Sequence, residues 1–188
     1  EHHTTLTGFK WIARAPGLGF GYEEAIGFCP DPGNVRDKDG IATSVVAASL
    51  VAALKAQGRS VWDELERLAR LHGLHVSSPL TFRVEQIEQI ASGMARLRAQ
   101  PPSVLAGSPV VEVSDLSQGY RGLPPTDGVL VLTEAGDRVI ARPSGTEPKL
   151  KCYLEVILPV VDGEPLPWGQ ARERLEAIKA AFAEIIGL

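Results

Sequence analysis

Apolar residues recur at helical spacing in several stretches of the chain and at alternate positions in others. From Ile41 to Gln57, the residues Val45, Val46, Leu50 and Leu54 share one face of a predicted helix, with small Ala and Ser between them. Asp39 is placed to cap its start and Gly58 to end it. Ser60 followed by Asp63 reads as a capping box that opens a second helix. Trp62, Leu65, Leu68 and Leu71 form the apolar stripe of that helix, and Gly73 closes it. Leu74 to Val84 is extended in character, with Val76, Thr81, Phe82 and Val84 favouring a strand. Helical spacing returns from Glu85 to Arg98 through Ile87, Ile90, Met94 and Leu97, until Pro101-Pro102 forbids its continuation. Met94 within that stripe reads as core filler.

The remainder is richer in strands. Val110 to Val113 predicts a strand, and the Gly- and Pro-rich segment from Gly119 to Gly128 a surface loop. Val129 to Leu132, a turn over Glu134 to Asp137, and Arg138 to Ala141 predict a hairpin. Leu150, Cys152, Leu154 and Val156 alternate with Lys149, Lys151, Tyr153 and Glu155, so this strand has one apolar and one wet face. Trp168 to Ile186 is an amphipathic helix through Ala171, Leu175, Ile178, Phe182 and Ile185. The change of pattern near Val76 places an expected boundary there. Residues 1–76 are then part of an α/β domain. Residues 77–188 form an α+β domain, an antiparallel sheet covered on one face by helices.

Composition narrows the classes of function. With 44% hydrophobic and 22% charged residues, the chain has the make-up of a folded globular protein rather than a disordered one. A net charge of -4 argues against nucleic acid or an acidic membrane as partner. No apolar run reaches the roughly 20 residues of a membrane-spanning helix. Cys29 and Cys152 are too few and too far apart for a disulfide framework or a zinc site, which fits a reducing cytoplasm. The chain begins Glu1-His2-His3-Thr4 with neither an initiator methionine nor a signal peptide, so a start inside a longer protein is expected.

Polar loops carry the candidate chemistry. Arg142-Pro143-Ser144-Gly145-Thr146-Glu147-Pro148-Lys149 lies between two predicted strands. Arg142 offers a planar fork for two anion oxygens, Ser144 and Thr146 offer hydroxyls, and Gly145 admits close backbone approach. Lys149 and Lys151 add attraction for an anion. An ordinary solvated turn has the same composition, and composition does not separate the two. Glu23 and Glu24, between Gly21 and Gly27, are acceptors suited to sugar hydroxyls, or an exposed turn with at least one carboxylate in solvent. Lys38, in Arg36-Asp37-Lys38-Asp39-Gly40, is a ligand for a substrate oxygen or half of a surface ion pair at a helix start. Lys10, between Phe9 and Trp11, is a further such ligand or a cation over a ring. The sequence has no Walker glycine loop, G-x-S-x-G elbow, His pair at metal spacing or magnesium-type aspartate cluster.

In order, T-G-F-K-W at Thr7, Y-E-E-A-I-G at Tyr22, D-K-D-G at Asp37 and R-P-S-G-T-E-P-K at Arg142 resemble the α-D-phosphohexomutase superfamily of phosphoglucomutases, phosphomannomutases and phosphopentomutases. The segment resembles the end of that family's third domain and its whole fourth domain. The resemblance implies that Glu23, with Glu24 and Ala25 beside it, belongs to a sugar-binding loop. It likewise implies that Arg142, Ser144, Gly145 and Thr146 grip a phosphate, and that Lys10 and Lys38 line the cleft. Many hexomutases have Ser where this chain has Ala25; the alanine resembles the phosphopentomutase-like branch and leaves glucose, mannose and pentose phosphates open. By the same resemblance, a phosphoserine in the first domain, Mg2+ in the second and a sugar bisphosphate carry the chemistry. None of those motifs is here, so no catalytic residue is expected in this chain, which alone would be inactive. Its implied partners are a phosphosugar and the missing N-terminal domains. The alternatives are a stand-alone, non-catalytic phosphosugar-binding module and a purely structural domain.

Overall fold

The computed structural model describes residues 1–145 and 147–187. They divide into two compact units, one over Glu1–Leu65 and one from Glu66 onward.

The first unit is built on a short helix α1 (Phe9–Ile12), a hairpin of β1 (Gly21–Glu23) and β2 (Gly27–Cys29), the long helix α2 (Gly40–Ala56) and the start of α3 (Val61–His72). Asp39 caps α2 as expected, its carboxylate accepting from Ala42 N at 2.9 Å. Ser60 and Asp63 form the reciprocal pair at the head of α3: Ser60 N donates to Asp63 Oδ2 at 2.6 Å and Asp63 N to Ser60 Oγ at 3.2 Å. Phe9, Ile12 and Cys29 make a small core, with Leu18 against it. The apolar face expected on α2 is present but uncovered. Leu54 is buried, whereas Val45 and Leu50 are 63% and 53% exposed. The physical reason lies in α2 itself, which carries no charged side chain before Lys55 and therefore needs more covering than the described residues of this unit supply.

The second unit is a six-stranded antiparallel sheet in the order β3-β8-β7-β6-β5-β4. Its strands are β3 (Leu74–Arg83), β4 (Val104–Leu105), β5 (Ser108–Asp115), β6 (Val129–Thr133), β7 (Arg138–Pro143) and β8 (Lys149–Leu158). Gly73, at φ 93°, ends α3 with its N–H on Ala69 O at 2.8 Å and turns the chain into β3. β3 lies along the last strand, β8, from Leu74↔Leu158 to Arg83↔Lys149. The helices α4 (Ile87–Ala99) and α5 (Trp168–Ile186) pack on one face.

The alternation predicted for β8 is observed. Leu150, Cys152, Leu154 and Val156 are buried with Val129, Val131, Val139 and Ala141 against Ile90, Met94 and Leu97 of α4 and Ala171, Leu175, Ile178 and Phe182 of α5. Each fully buried large side chain contributes about 1.5–3 kcal/mol. The stripe of α5 ends on the fully buried Ile186, four residues beyond Phe182, with the expected Ile185 partly buried against the same core. Arg96 of α4 reaches the C-terminus of α5, donating to Ile186 O and to Gly187 O, which satisfies carbonyls that the helix leaves unpaired. The opposite face of the sheet carries the polar side chains of β3, β7 and β8.

Candidate anion and hydroxyl sites

In the first unit the β1–β2 hairpin presents Glu23 and turns at Glu24, Ala25 and Ile26. Glu23 points inward, with only 11% of its side chain exposed, whereas Glu24 faces solvent. One Glu23 oxygen accepts from Gly8 N at 2.9 Å, and the other forms an ion pair with Lys38 Nζ. Lys38 also donates to Ala25 O at 2.8 Å and lies 5.9 Å from the centroid of the Phe9 ring. The motifs around Thr7, Tyr22 and Asp37 thus converge: Gly8, Glu23, Ala25 and Lys38 form one polar cluster although distant in sequence. Lys10 stands apart, exposed, 5.4 Å from the centroid of the Trp11 ring.

Two backbone features hold this cluster. A Cβ at Gly27 would come within 2.8 Å of Glu23 Cγ, 2.9 Å of Lys38 Cε and 3.1 Å of the Phe9 ring, so only glycine leaves the pair its place. Ile26 adopts φ 50° with its side chain 93% exposed, a left-handed conformation that costs a β-branched residue about 1–2 kcal/mol.

In the second unit the loop between β7 and β8 is pinned at its neck, where Ser144 N donates to Lys149 O at 2.8 Å. Val84 N, just past β3, donates to Pro148 O at 3.1 Å. Beside the neck is a depression of about 100 Å³ lined by Arg142, Pro143, Ser144, Gly145, Lys151 and Tyr153. Pockets that enclose a whole small molecule are roughly 300–1,000 Å³, so this one fits a single charged group of a ligand. Thr146, the remaining candidate of the loop, lies outside the described residues.

Charge decides what kind of group. Arg142 is directly opposite Lys151, and Lys149 directly opposite Arg83. Like charges in facing positions destabilise a sheet. Among the described residues, neither Arg83, Arg142 nor Lys151 has an ion-pair partner; Lys149 pairs with Glu147 at 2.6 Å. That hydrogen bond, with the added charge of Lys149, Lys151 and Arg83, holds the Glu147 carboxyl below its ordinary range. A concentration of cations at this rim, tolerated at a cost, raises the local positive potential. Arg83 and Tyr153 were not among the sequence candidates. Their place is set by strand register; the alternation along β8 signals the face of Tyr153, and no sequence signal places Arg83 beside Lys149.

Behind the same loop is a larger cavity of about 290 Å³, lined in part by Ile87, Met94 and Arg98 of α4 and by Pro143 and Ser144. Arg98 bridges Asp115 at 3.1 Å and Asp127 at 2.6 Å, tying α4 to the end of β5 and to the loop before β6. Among the described residues no group of three or more His, Cys, Asp or Glu side chains is placed to hold a metal ion. No described helix is by itself long and apolar enough to cross a membrane.

Residues 81–157 match the family description "Phosphoglucomutase/phosphomannomutase, C-terminal domain", and residues 1–71 match "Phosphoglucomutase/phosphomannomutase, alpha/beta/alpha domain III". The chain belongs to the α-D-phosphohexomutase superfamily, as its C-terminal portion.

Within that superfamily, it is 43% identical over 155 residues to a probable phosphomannomutase of Haemophilus influenzae, covering 82% of this chain and 31% of the relative. It is 31% identical over 183 residues to a phosphoglucomutase of Staphylococcus aureus, covering 86% of this chain and 33% of the relative. The chain therefore spans about a third of the length of these phosphohexomutases. Its fold is similar to that of pp63/parafusin from Paramecium in the open form, with TM-score 0.53 and 17% identity over 83% of this chain and 29% of that one. The α/β segment followed by an α+β domain is the arrangement expected from the sequence.

Proposed function

We propose that this chain is the substrate-recognition portion of a phosphosugar mutase that interconverts sugar 1-phosphates with 6-phosphates, or pentose 1- and 5-phosphates. Glu23, with Glu24 and Ala25 on the same turn, accepts hydrogen bonds from sugar hydroxyls. Arg142, Ser144, Gly145 and Thr146 hold the phosphate that is not reacting, with Lys149 and Lys151 raising the local positive potential. Lys38 holds Glu23 in position through their ion pair, and Lys10 adds positive charge to the same unit. The observation that carries this reading is the rim of Arg83, Arg142, Lys149 and Lys151 on facing strands, with Glu147 its only described ion-pair partner.

The chemistry itself is assigned to domains outside this chain: a phosphoserine that gives and takes the phosphoryl group, and Mg2+ to offset charge. Among the described residues no group of three or more His, Cys, Asp or Glu side chains is placed to hold a metal, and no step here runs through that ion. In this scheme a sugar bisphosphate turns over between half-reactions, and each phosphate in turn occupies the β7–β8 loop. Guanidinium, hydroxyl and backbone donors suit that task, because they read a phosphate and are indifferent to which carbon bears it.

The test is Arg142→Ala in the complete enzyme. Loss of a charge-assisted, two-pronged contact is expected to lower kcat/KM by about 2–4 kcal/mol in transition-state terms. Unchanged kcat/KM would remove Arg142 from the phosphate site. Phosphate binding by the complete protein without any mutase activity would instead favour a binding module.

A further inference from the structure

The β7–β8 loop carries its own anion. Glu147 is the only acidic residue between Arg142 and Lys151, and its carboxylate is bonded to Lys149 Nζ at 2.6 Å while Lys149 N donates to Glu147 O at 2.7 Å. Lys149 is largely covered, with 16% of its side chain exposed, whereas 49% of Glu147 is exposed. The cation is therefore fixed in the sheet and the carboxylate sits on the outside, open to solvent. Arg83, Lys149 and Lys151 all act on that carboxylate.

We propose that Glu147 is the resident counter-ion of this anion site, neutralising Lys149 while the loop is empty and giving it up when a phosphate group arrives. The inference rests on the reading of this loop as a phosphate site and adds a device that sets how tightly the site holds. An empty rim of four unneutralised cations would repel itself, so the internal carboxylate keeps the loop in shape before binding. The cost of displacing it is charged against every incoming phosphate, and its return to Lys149 assists release. A ligand that must leave, turn and rebind gains from a site with a built-in competitor of this kind.

The experiment is calorimetric titration of the complete enzyme with inorganic phosphate at low salt and pH 8, in wild type, Glu147→Gln, Arg142→Ala and Glu134→Gln. Glu134, exposed in the β6–β7 turn, controls for the loss of one negative charge anywhere on the surface. Glu147→Gln is expected to tighten phosphate binding by about two- to fivefold, the strength of a partly exposed ion pair, and Glu134→Gln to leave it unchanged. Equal or weaker binding in Glu147→Gln, or the same gain in Glu134→Gln, overturns the proposal while loss of binding in Arg142→Ala leaves the phosphate reading intact. Wild type and Arg142→Ala that are indistinguishable overturn both. A second readout is the carbon-13 titration of the Glu147 carboxyl: saturating phosphate should raise its pKa, since it loses Lys149 and gains a neighbouring dianion. An unmoved pKa in phosphate also overturns the proposal.

Discussion

Asp137 is the most consequential residue outside the two sites. It is fully buried, accepts from Thr133 Oγ1 at 3.0 Å, and takes two bonds from Arg174 at 2.9 and 2.8 Å, fastening the β6–β7 turn to α5. Removing Arg174 leaves a buried carboxylate unpaired, and among the described residues its Oδ1 already lacks a partner. Arg174→Ala is expected to destabilise the chain by about 2–4 kcal/mol, somewhat below the usual cost for a buried pair because Arg174 retains contact with water. Urea unfolding measures it, and a loss below 0.5 kcal/mol on the scale of surface substitutions would show the pair to be dispensable. The cysteines make a second prediction at this scale. Burial pushes the Cys152 thiol up to about 12, and burial with the nearby Asp39 raises that of Cys29. At pH 8 both are protonated in the folded chain, so a thiol reagent is expected to label neither until denaturant is added; rapid labelling of the native chain would contradict the packing around them.

At the scale of elements, the sequence was legible where periodicity is long and caps are chemical. The capping residues Asp39 and Ser60 and the alternation of β8 each predicted a boundary or a face that the structure shows, because each depends on neighbours within a few residues. The β1–β2 hairpin was legible only as a polar turn. Its strands are three residues long, and its form depends on Phe9 and Lys38, which lie well outside it in sequence. The same limit hid Arg83, whose neighbour Lys149 is remote in the chain and adjacent only in the sheet. The hairpin can be tested through Gly27. A methyl there meets Glu23, Lys38 and the Phe9 ring at 2.8–3.1 Å, so Gly27→Ala is expected to separate the ion pair and cost about 1–3 kcal/mol by overpacking. Chemical shifts of Lys38 and Glu23 would report it; shifts identical to wild type would mean that the turn yields instead.

For the whole molecule, the uncovered helices set the main physical constraint. On α2, Ile41, Val45, Val46, Leu50 and Val51 are exposed, and on α3 Trp62 is 76% exposed with Leu65 and Leu71 beside it. A helix of mostly apolar and no charged residues over four turns belongs in an interior. Exposed apolar patches larger than a few hundred Å² mark a surface that something else covers. The relatives matched here are about three times as long, and residues 1–71 match an alpha/beta/alpha domain of which the described residues supply helices and a short hairpin only. The covering layer is therefore expected from the rest of that domain in a longer polypeptide. The chain alone should bind a hydrophobic dye strongly and self-associate as its concentration rises, and both effects should vanish when the preceding residues of the family's third domain are present. Amide exchange in α2 should slow at the same time, since its solvent-facing hydrogen bonds would become interior ones. Equal dye binding and equal exchange in the short and long polypeptides would mean that this face is exposed in the complete protein as well, and that its occupant is a separate molecule.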